Sequence, residues 1–449
     1  MNLNKINYVL TTFKSLYDLS DINVKISYGN GVNPEADIII KKSEYPLNDE
    51  IKAVWDIWNK TEIPFLFNDS KQKKIIQKNG KKILINHDII IASFYLLSGY
   101  QEYQCKQKDK YSRFAFKESI QSSMAIYNIP VVNYYFDILK TAIELHSGRK
   151  ILYSDCYKEP VGFISHDIDK CTKGYLEELF YLIKKGKLFT SLKVLDNRIV
   201  NKDPWFNFEI ISEMEKKLGV KSTFFFLNSM KRYKGITGAD YNINDNDIQN
   251  IIHDLAKNGH EIGIHLHPKI FSDKKLEETI KSFPCHVKGC RIHFLKFDYH
   301  YTLIELENSD LEYDSTLGFA EMPGFRNSFA HPFLIYNHKD DRPTRILEIP
   351  LIIMDTTFSN YLHTRNLGIE FKEHFEDLIN QVVKFNGIFT LLWHNNYFSN
   401  YKYKRFRDLF DILVNDLKKS NFIFKTGIDI SRSHFQLSDT SYPGLICID

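Results

Sequence analysis

From about residue 155 onward, short runs rich in β-branched and aromatic residues alternate with stretches of helical periodicity, the rhythm that builds parallel sheets and barrels. The runs are Val161–Ser165 (VGFIS), Ser222–Leu227 (STFFFL), Glu261–His265 (EIGIH), Val287–Ile292 (VKGCRI), a shorter one at Leu311–Asp314 (LEYD), Ile346–Ile353 (ILEIPLII) and Ile388–Trp393 (IFTLLW). Seven strands are therefore expected. Between them, Asp203-Pro204 is expected to cap and open a helix through WFNFEIISEMEKKLG, and NDNDIQNIIHDLAKNG to start on a capping Asn or Asp and end at Gly259. The first 150 residues read differently: VKISYG, ADIIIKK and KKILINH are short strand-like runs mixed with helical stretches, the clearest being Val131–Glu144. A chain of 449 residues exceeds what one core usually organises. The expectation is a smaller α/β domain over 1–150 and a barrel-type domain over 151–449.

Ionisable residues gather where the expected strands end. The first runs into His166-Asp167-Ile168-Asp169, the third into His265-Leu266-His267, the fourth into Arg291-Ile292-His293, the sixth into Asp355 and the seventh into His394. Carboxyl ends of successive parallel strands converge on one mouth, which is how barrel enzymes assemble their chemistry. Two residues apart on an extended chain, Asp167 and Asp169 face the same side. Such a pair repels unless a cation neutralises one carboxylate, which leaves the other as a base. Adding two histidines from HLH makes one carboxylate and two imidazoles, a shell suited to Zn²⁺ or a similar divalent ion with a position open to water. Metal-assisted hydrolysis follows, with a separate acid such as His394 to protonate the leaving group.

Other classes are excluded by what is missing. A net charge of +3, with lysines dispersed along the chain, leaves no footprint for nucleic acid. The longest apolar run, Ile89–Leu97, is about half the ~20 residues of a membrane-spanning helix and reads as a buried element, so no integral membrane segment is expected. The N-terminus has no secretory pattern, and six scattered cysteines without a CxxC pair suit a reducing compartment, so the expected location is cytoplasmic. Nothing in the sequence bears on oligomeric state.

Taken together, residues 155–430 resemble the polysaccharide deacetylases, the metal-dependent carbohydrate esterases of family four that share the NodB homology fold. SHDID stands where that family has TFDDG, GHEIGIH (Gly259–His265) is similar to its GHEIGNH, and LLWH (Leu391–His394) to its last motif. The resemblance implies a distorted (β/α)7 TIM-like barrel and removal of acetyl groups from N-acetylated or O-acetylated sugars. It makes Asp167 the base, Asp169 and His265 metal ligands, His394 the acid, Arg291 in GCRIH the residue that orients the base, and Asp355 the carboxylate that orients the acid. The ion it implies is Zn²⁺, with Co²⁺, Ni²⁺ or Mn²⁺ as alternatives, and the partner is an acetylated amino sugar of a surface polysaccharide or its precursor. The first 150 residues, with FYLLSGYQEY, KYSRF and IPVVNYYFDIL, look like a region of unassigned function that precedes deacetylase domains in bacterial polysaccharide loci. RIHFLKFD and Tyr313–Phe333 (YDSTLGFAEMPGFRNSFAHPF) look like segments of the same subgroup.

One departure stands out. The family pattern is HxxxH followed by proline, and here it is HLHP, with His267-Pro268 two residues early. Either His267 still reaches the ion, which is the favoured expectation, or another residue is the third ligand, or the site is weakened. His293 and His300 read as packing or capping residues, Trp393 as core, and Glu348 and Arg326 equally as sugar contacts or as a fold-supporting ion pair. The shortened motif also motivates an alternative, a catalytically degenerate barrel that binds carbohydrate or acts as a scaffold. An amidohydrolase-type reading of HLH fails on order, since that arrangement expects HxH on the first strand and Asp on the last.

Overall fold

Fully apolar runs become strands buried on both faces, and this holds for most of the second sheet. The computed structural model describes residues 1–449 apart from 32, 48–50, 70, 73, 193–202, 363–366, 439–444 and 449. In the N-terminal region, β1 (Val24–Tyr28), β2 (Ile38–Ile40), β5 (Ile76–Asn79) and β6 (Lys82–Ile85) lie in one sheet, and β3 (Ala53–Trp58) and β4 (Thr61–Leu66) form a separate antiparallel hairpin. The run Ile89–Leu97 is a helix, wholly buried, whose first turn is capped by Asp88 accepting from the Ile91 amide at 2.9 Å.

The second sheet contains β7 (Val161–Ile168), β8 (Thr223–Leu227), β9 (Glu261–Leu266), β10 (Gly289–Ile292), β11 (Tyr313–Asp314), β12 (Phe333–Asn337), β13 (Arg342–Glu348), β14 (Ile353–Met354), β15 (Ile388–Leu392) and β16 (Ile423–Phe424). Its order is β12-β13-β11-β10-β9-β8-β7-β15-β14, with β16 also on β7, and every pairing is parallel except β12 with β13. The protein is thus mixed α/β, with this sheet curled as a half-barrel. A last strand, β17 (Leu445–Ile448), pairs in parallel with β1, so the chain end returns to the first sheet. Among the described residues no helix is long and apolar enough to cross a membrane.

Two expectations are corrected here. The single strand expected over Ile346–Ile353 is two: β13 pairs with β11 and β14 with β15, on opposite flanks of the sheet. Pro350, which has no amide to donate to a ladder, lies in the break. The sheet is therefore open between β13 and β14, which residues 349–352 connect. Asp203, expected to cap the helix that follows it, instead accepts from the amides of Gly174 and Trp205, both at 2.9 Å. It holds the start of the helix Gly174–Lys184, while the helix expected after it begins only at Phe208. The helix Asn246–Lys257 ends as its sequence implies, with Gly259 in the left-handed region at φ 83°.

The stretch Tyr313–Phe333 joins the two regions. Its Arg326 bonds Glu102 at 2.6 Å, and Gln121 donates to the Arg326 carbonyl at 2.7 Å. Asn133 and His331 meet at 2.9 Å, and the Phe325 amide donates to the Tyr127 carbonyl at 2.7 Å. Gly324 stands at φ 138°, and a Cβ there would come within 2.1 Å of that carbonyl. Arg326 is therefore a buried anchor between the two regions. Glu348 is buried beside Asp314; burial and the neighbouring carboxylate push it well above its ordinary value, so the pair shares a proton. An acid raised in this way favours folding while it is protonated, and that contribution is lost as pH climbs from the ordinary value of 4.5 through the raised one. Glu348→Gln, which keeps a proton on the pair, should make thermal stability measured from pH 5 to 9 less sensitive to rising pH than in the parent; an unchanged slope would place the proton elsewhere.

Candidate metal and acid–base site

Parallel registration brings the strand ends together. Asp167 lies opposite Phe225 on β8, His265 opposite Arg291 on β10, and Ser165 opposite Leu392 on β15. Asp167 is at the end of β7 with Asp169 just beyond it on the same side.

At the centre are His265, His293 and Asp169. The His265 Nε2 is 2.9 Å from the His293 Nδ1 and 3.4 Å from the Asp169 Oδ1, and the His293 Nδ1 is 3.4 Å from the same oxygen. The outer nitrogens settle the tautomers. His265 Nδ1 lies 2.9 Å from the Arg291 carbonyl and His293 Nε2 3.0 Å from the Thr237 carbonyl. A carbonyl only accepts, so those outer nitrogens carry protons, and the inner nitrogens face the Asp169 carboxylate. Burial first of all holds His293 down to about 4, so it is neutral near pH 7. Asp169 Oδ1, His265 Nε2 and His293 Nδ1 thus converge within a few ångströms of one another, and the Asp169 Oδ1 has no hydrogen-bond partner. One carboxylate with two imidazoles so placed fits a divalent ion.

The favoured third ligand from the sequence, His267, stands beside the cluster, with its Nε2 buried and without a hydrogen-bond partner. It lies outside this group of three, its ring centroid 6.1 Å from that of His293. β9 stops at Leu266 and a short helix starts directly after Pro268, so the His267 Nδ1 is engaged by the Lys269 amide at 3.3 Å. His293, read from the sequence as a packing residue, stands in the cluster instead. Spacing within HLHP could not reveal this, because His293 arrives from the end of the neighbouring strand, β10.

Around the cluster are the acid and base candidates. Arg291, with no solvent exposure, donates from Nη1 to Asp167 Oδ1 and to Ser165 Oγ, each at 2.9 Å, and from Nε to the Ser315 carbonyl at 2.7 Å. Burial works against the charge on Asp167, yet the His265 ring, Arg291 and His394 together keep its carboxyl below the ordinary value. Its other oxygen is 3.5 Å from the His265 Nε2. On the far side, His394 Nδ1 donates to Asp355 Oδ1 at 2.7 Å, and the His394 amide to Asp355 Oδ2 at 2.6 Å. Burial opposes protonation of His394, but the Asp355 carboxylate overcomes it and pushes the ring up to about 9. The His394 Nε2 is 3.9 Å from Asp169 Oδ2.

These side chains line a cavity of about 290 Å³, with Trp205, Asn360 and Tyr397 among its walls. Trp393 is core, packed on Phe371, Phe406 and Phe410. One wall residue comes from the N-terminal region: Arg113, in the KYSRF stretch. Its Nη1 donates to the Phe294 carbonyl at 2.9 Å and its Nη2 to Tyr361 Oη at 3.1 Å, while Nε binds Asp109 at 2.8 Å. Phe294 and Leu295 both have left-handed backbones, φ 63° and 53°, which cost non-glycine residues about 1–3 kcal/mol each and persist only when surroundings impose them. Arg113 thus clamps the strained turn that carries His293.

Residues 2–147 match a family of unknown function, DUF7033. No sequence among the curated proteins matches. Similar solved structures include a putative polysaccharide deacetylase from Mycobacterium smegmatis, at 15% identity and TM-score 0.39 over 63% of this chain and 91% of that one. The Bc1960 peptidoglycan N-acetylglucosamine deacetylase aligns at 12% identity and TM-score 0.29 over 61% and 89%. A mutant of BA3943, described as a CE4 family pseudoenzyme with restored enzymatic activity, aligns at 11% and 0.26 over 61% and 68%. At these scores the chemistry rests on the side chains above.

Removing the clamp tests its link to the cluster. Arg113→Ala should weaken divalent-ion binding by titration calorimetry about tenfold, the scale of losing an outer support to a ligand. Arg149→Ala, an exposed pair partner of Asp21, should leave it unchanged.

Proposed function

We propose that this protein is a metal-dependent hydrolase that removes an acetyl group from an N-acetylated sugar, an O-acetylated one being the variant of the same chemistry. The observation that carries the reading is the convergence of three metal-donor atoms, Asp169 Oδ1, His265 Nε2 and His293 Nδ1, at 2.9–3.4 Å from one another. A divalent ion held there, Zn²⁺ or Co²⁺ in the first instance, would polarise an acyl carbonyl and make nearby water a better nucleophile. Asp167 is ionised and aimed at the same place, so it takes the proton of the attacking water. Arg291 fixes that carboxylate in position. His394, held protonated by Asp355, lies across the cavity and delivers its proton to the departing nitrogen as the carbon–nitrogen bond breaks, giving acetate and a free amine. Ligand cavities are seldom smaller than this one, which favours a single acylated sugar unit over a long bound stretch of polymer. The scaffold alternative rested on the shortened HLHP motif, and His293 supplies the donor that motif lacks.

Three variants separate the roles. Asp167→Asn should abolish release of acetate from an N-acetylglucosamine oligosaccharide while metal content by elemental analysis stays intact. His293→Ala should lose both, whereas His267→Ala should keep the metal. Retention of metal by His293→Ala together with its loss in His267→Ala would overturn the ligand assignment. Activity should vanish with chelator and return with Zn²⁺ or Co²⁺, and recovery without added metal would exclude the mechanism.

A further inference from the structure

Surface helices ordinarily turn charge outward and apolar residues inward. The helix Gly174–Lys184 does the reverse on one side. Leu176, Phe180 and Ile183, spaced four and three apart, form one face and are exposed, Phe180 at 70%. Glu178 is fully buried, accepting from the Lys402 amide at 3.0 Å, and Glu177 is paired with the Lys402 ammonium. The apolar face continues past the turn in Leu188 and Phe189, the latter 86% exposed. In the turn itself, Lys184, Lys185 and Lys187 are all exposed. None of the described residues covers this face.

We propose that this face docks on an anionic lipid surface. Exposed phenylalanines and leucines beside a cluster of lysines, with both local carboxylates turned away or paired, match the boundary between acyl chains and acidic headgroups. A second copy of the chain is a poorer occupant, because a symmetric contact sets the same three lysines against each other. The face adjoins the site. Leu176 and the exposed Met230 line a cavity of about 540 Å³ whose other walls include Lys170, Glu177, Trp205 and Gly238, which also line the 290 Å³ cavity. Docking would bring the mouth of the site to the headgroup layer. If the deacetylase reading holds, on which this last step rests, the substrate is an acylated sugar carried on a membrane lipid.

The test is co-sedimentation of the full chain with vesicles of phosphatidylcholine mixed with phosphatidylglycerol, against phosphatidylcholine alone. Binding should require the anionic lipid, weaken with salt, and fall about tenfold or more in Phe180→Ser/Phe189→Ser and in Lys184→Glu/Lys185→Glu. Both variants change exposed side chains, so their melting temperatures should match the parent. No binding at low ionic strength, binding that the variants leave intact, or self-association through this face in sedimentation equilibrium would each overturn the proposal. Metal content and turnover of a soluble acetylated sugar should be unchanged in the variants. A protein that binds vesicles but lacks turnover would therefore sink the enzyme reading alone, and an active protein that ignores vesicles would sink only the docking.

Discussion

The buried guanidinium of Arg291 holds the site together. Its side chain grips Asp167 and Ser165 from β7 and the Ser315 carbonyl after β11, while its own carbonyl takes the proton of His265 on β9. One residue on β10 therefore sets both the orientation of the base and the tautomer of a ligand. A fully buried charge is tolerated only when its donors are met, and removing one partner of such a pair costs about 3–5 kcal/mol. The face of the Phe225 ring, 4.7 Å from the guanidinium carbon, completes its enclosure. The same network that makes the site also makes that part of the sheet rigid.

On the opposite wall, a second carboxylate does for His394 what Arg291 does for Asp167. Asp355 binds both the ring and the backbone amide of His394, so the imidazole has one orientation and a raised affinity for its proton. An ionised acid and a protonated imidazole thus coexist a few ångströms from a shared acceptor cluster. Such a separation of proton affinities is what acid–base catalysis near neutral pH needs. The exposed apolar face of the helix Gly174–Lys184 lies next to the cavity these groups line.

The N-terminal region contributes more than bulk. Through Tyr313–Phe333 it shares hydrogen bonds with the second sheet, and through Arg113 it reaches the turn that carries His293. One apolar cluster runs from Ile6 to Ile430 across both regions. Residues of the two regions are buried together, and their separation would expose that core.

Much of this was legible in the order of residues. Strand period and strand-end polarity marked β7, β9, β10 and β15, and the two-residue offset of Asp167 and Asp169 put both carboxylates on one side of an extended chain. The Asp and His spacing also pointed to a candidate cation site, because like charges that close repel. What spacing could not decide was which imidazole completes the set. That depends on a proline starting a helix after His267 and on a strained turn after β10, held by an arginine about 180 positions away in the chain. Likewise, only the packing shows that Glu178 is buried while Phe180 on the same helix is exposed. Periodicity along a chain determines which residues share a face; only the packing of distant segments decides what that face meets.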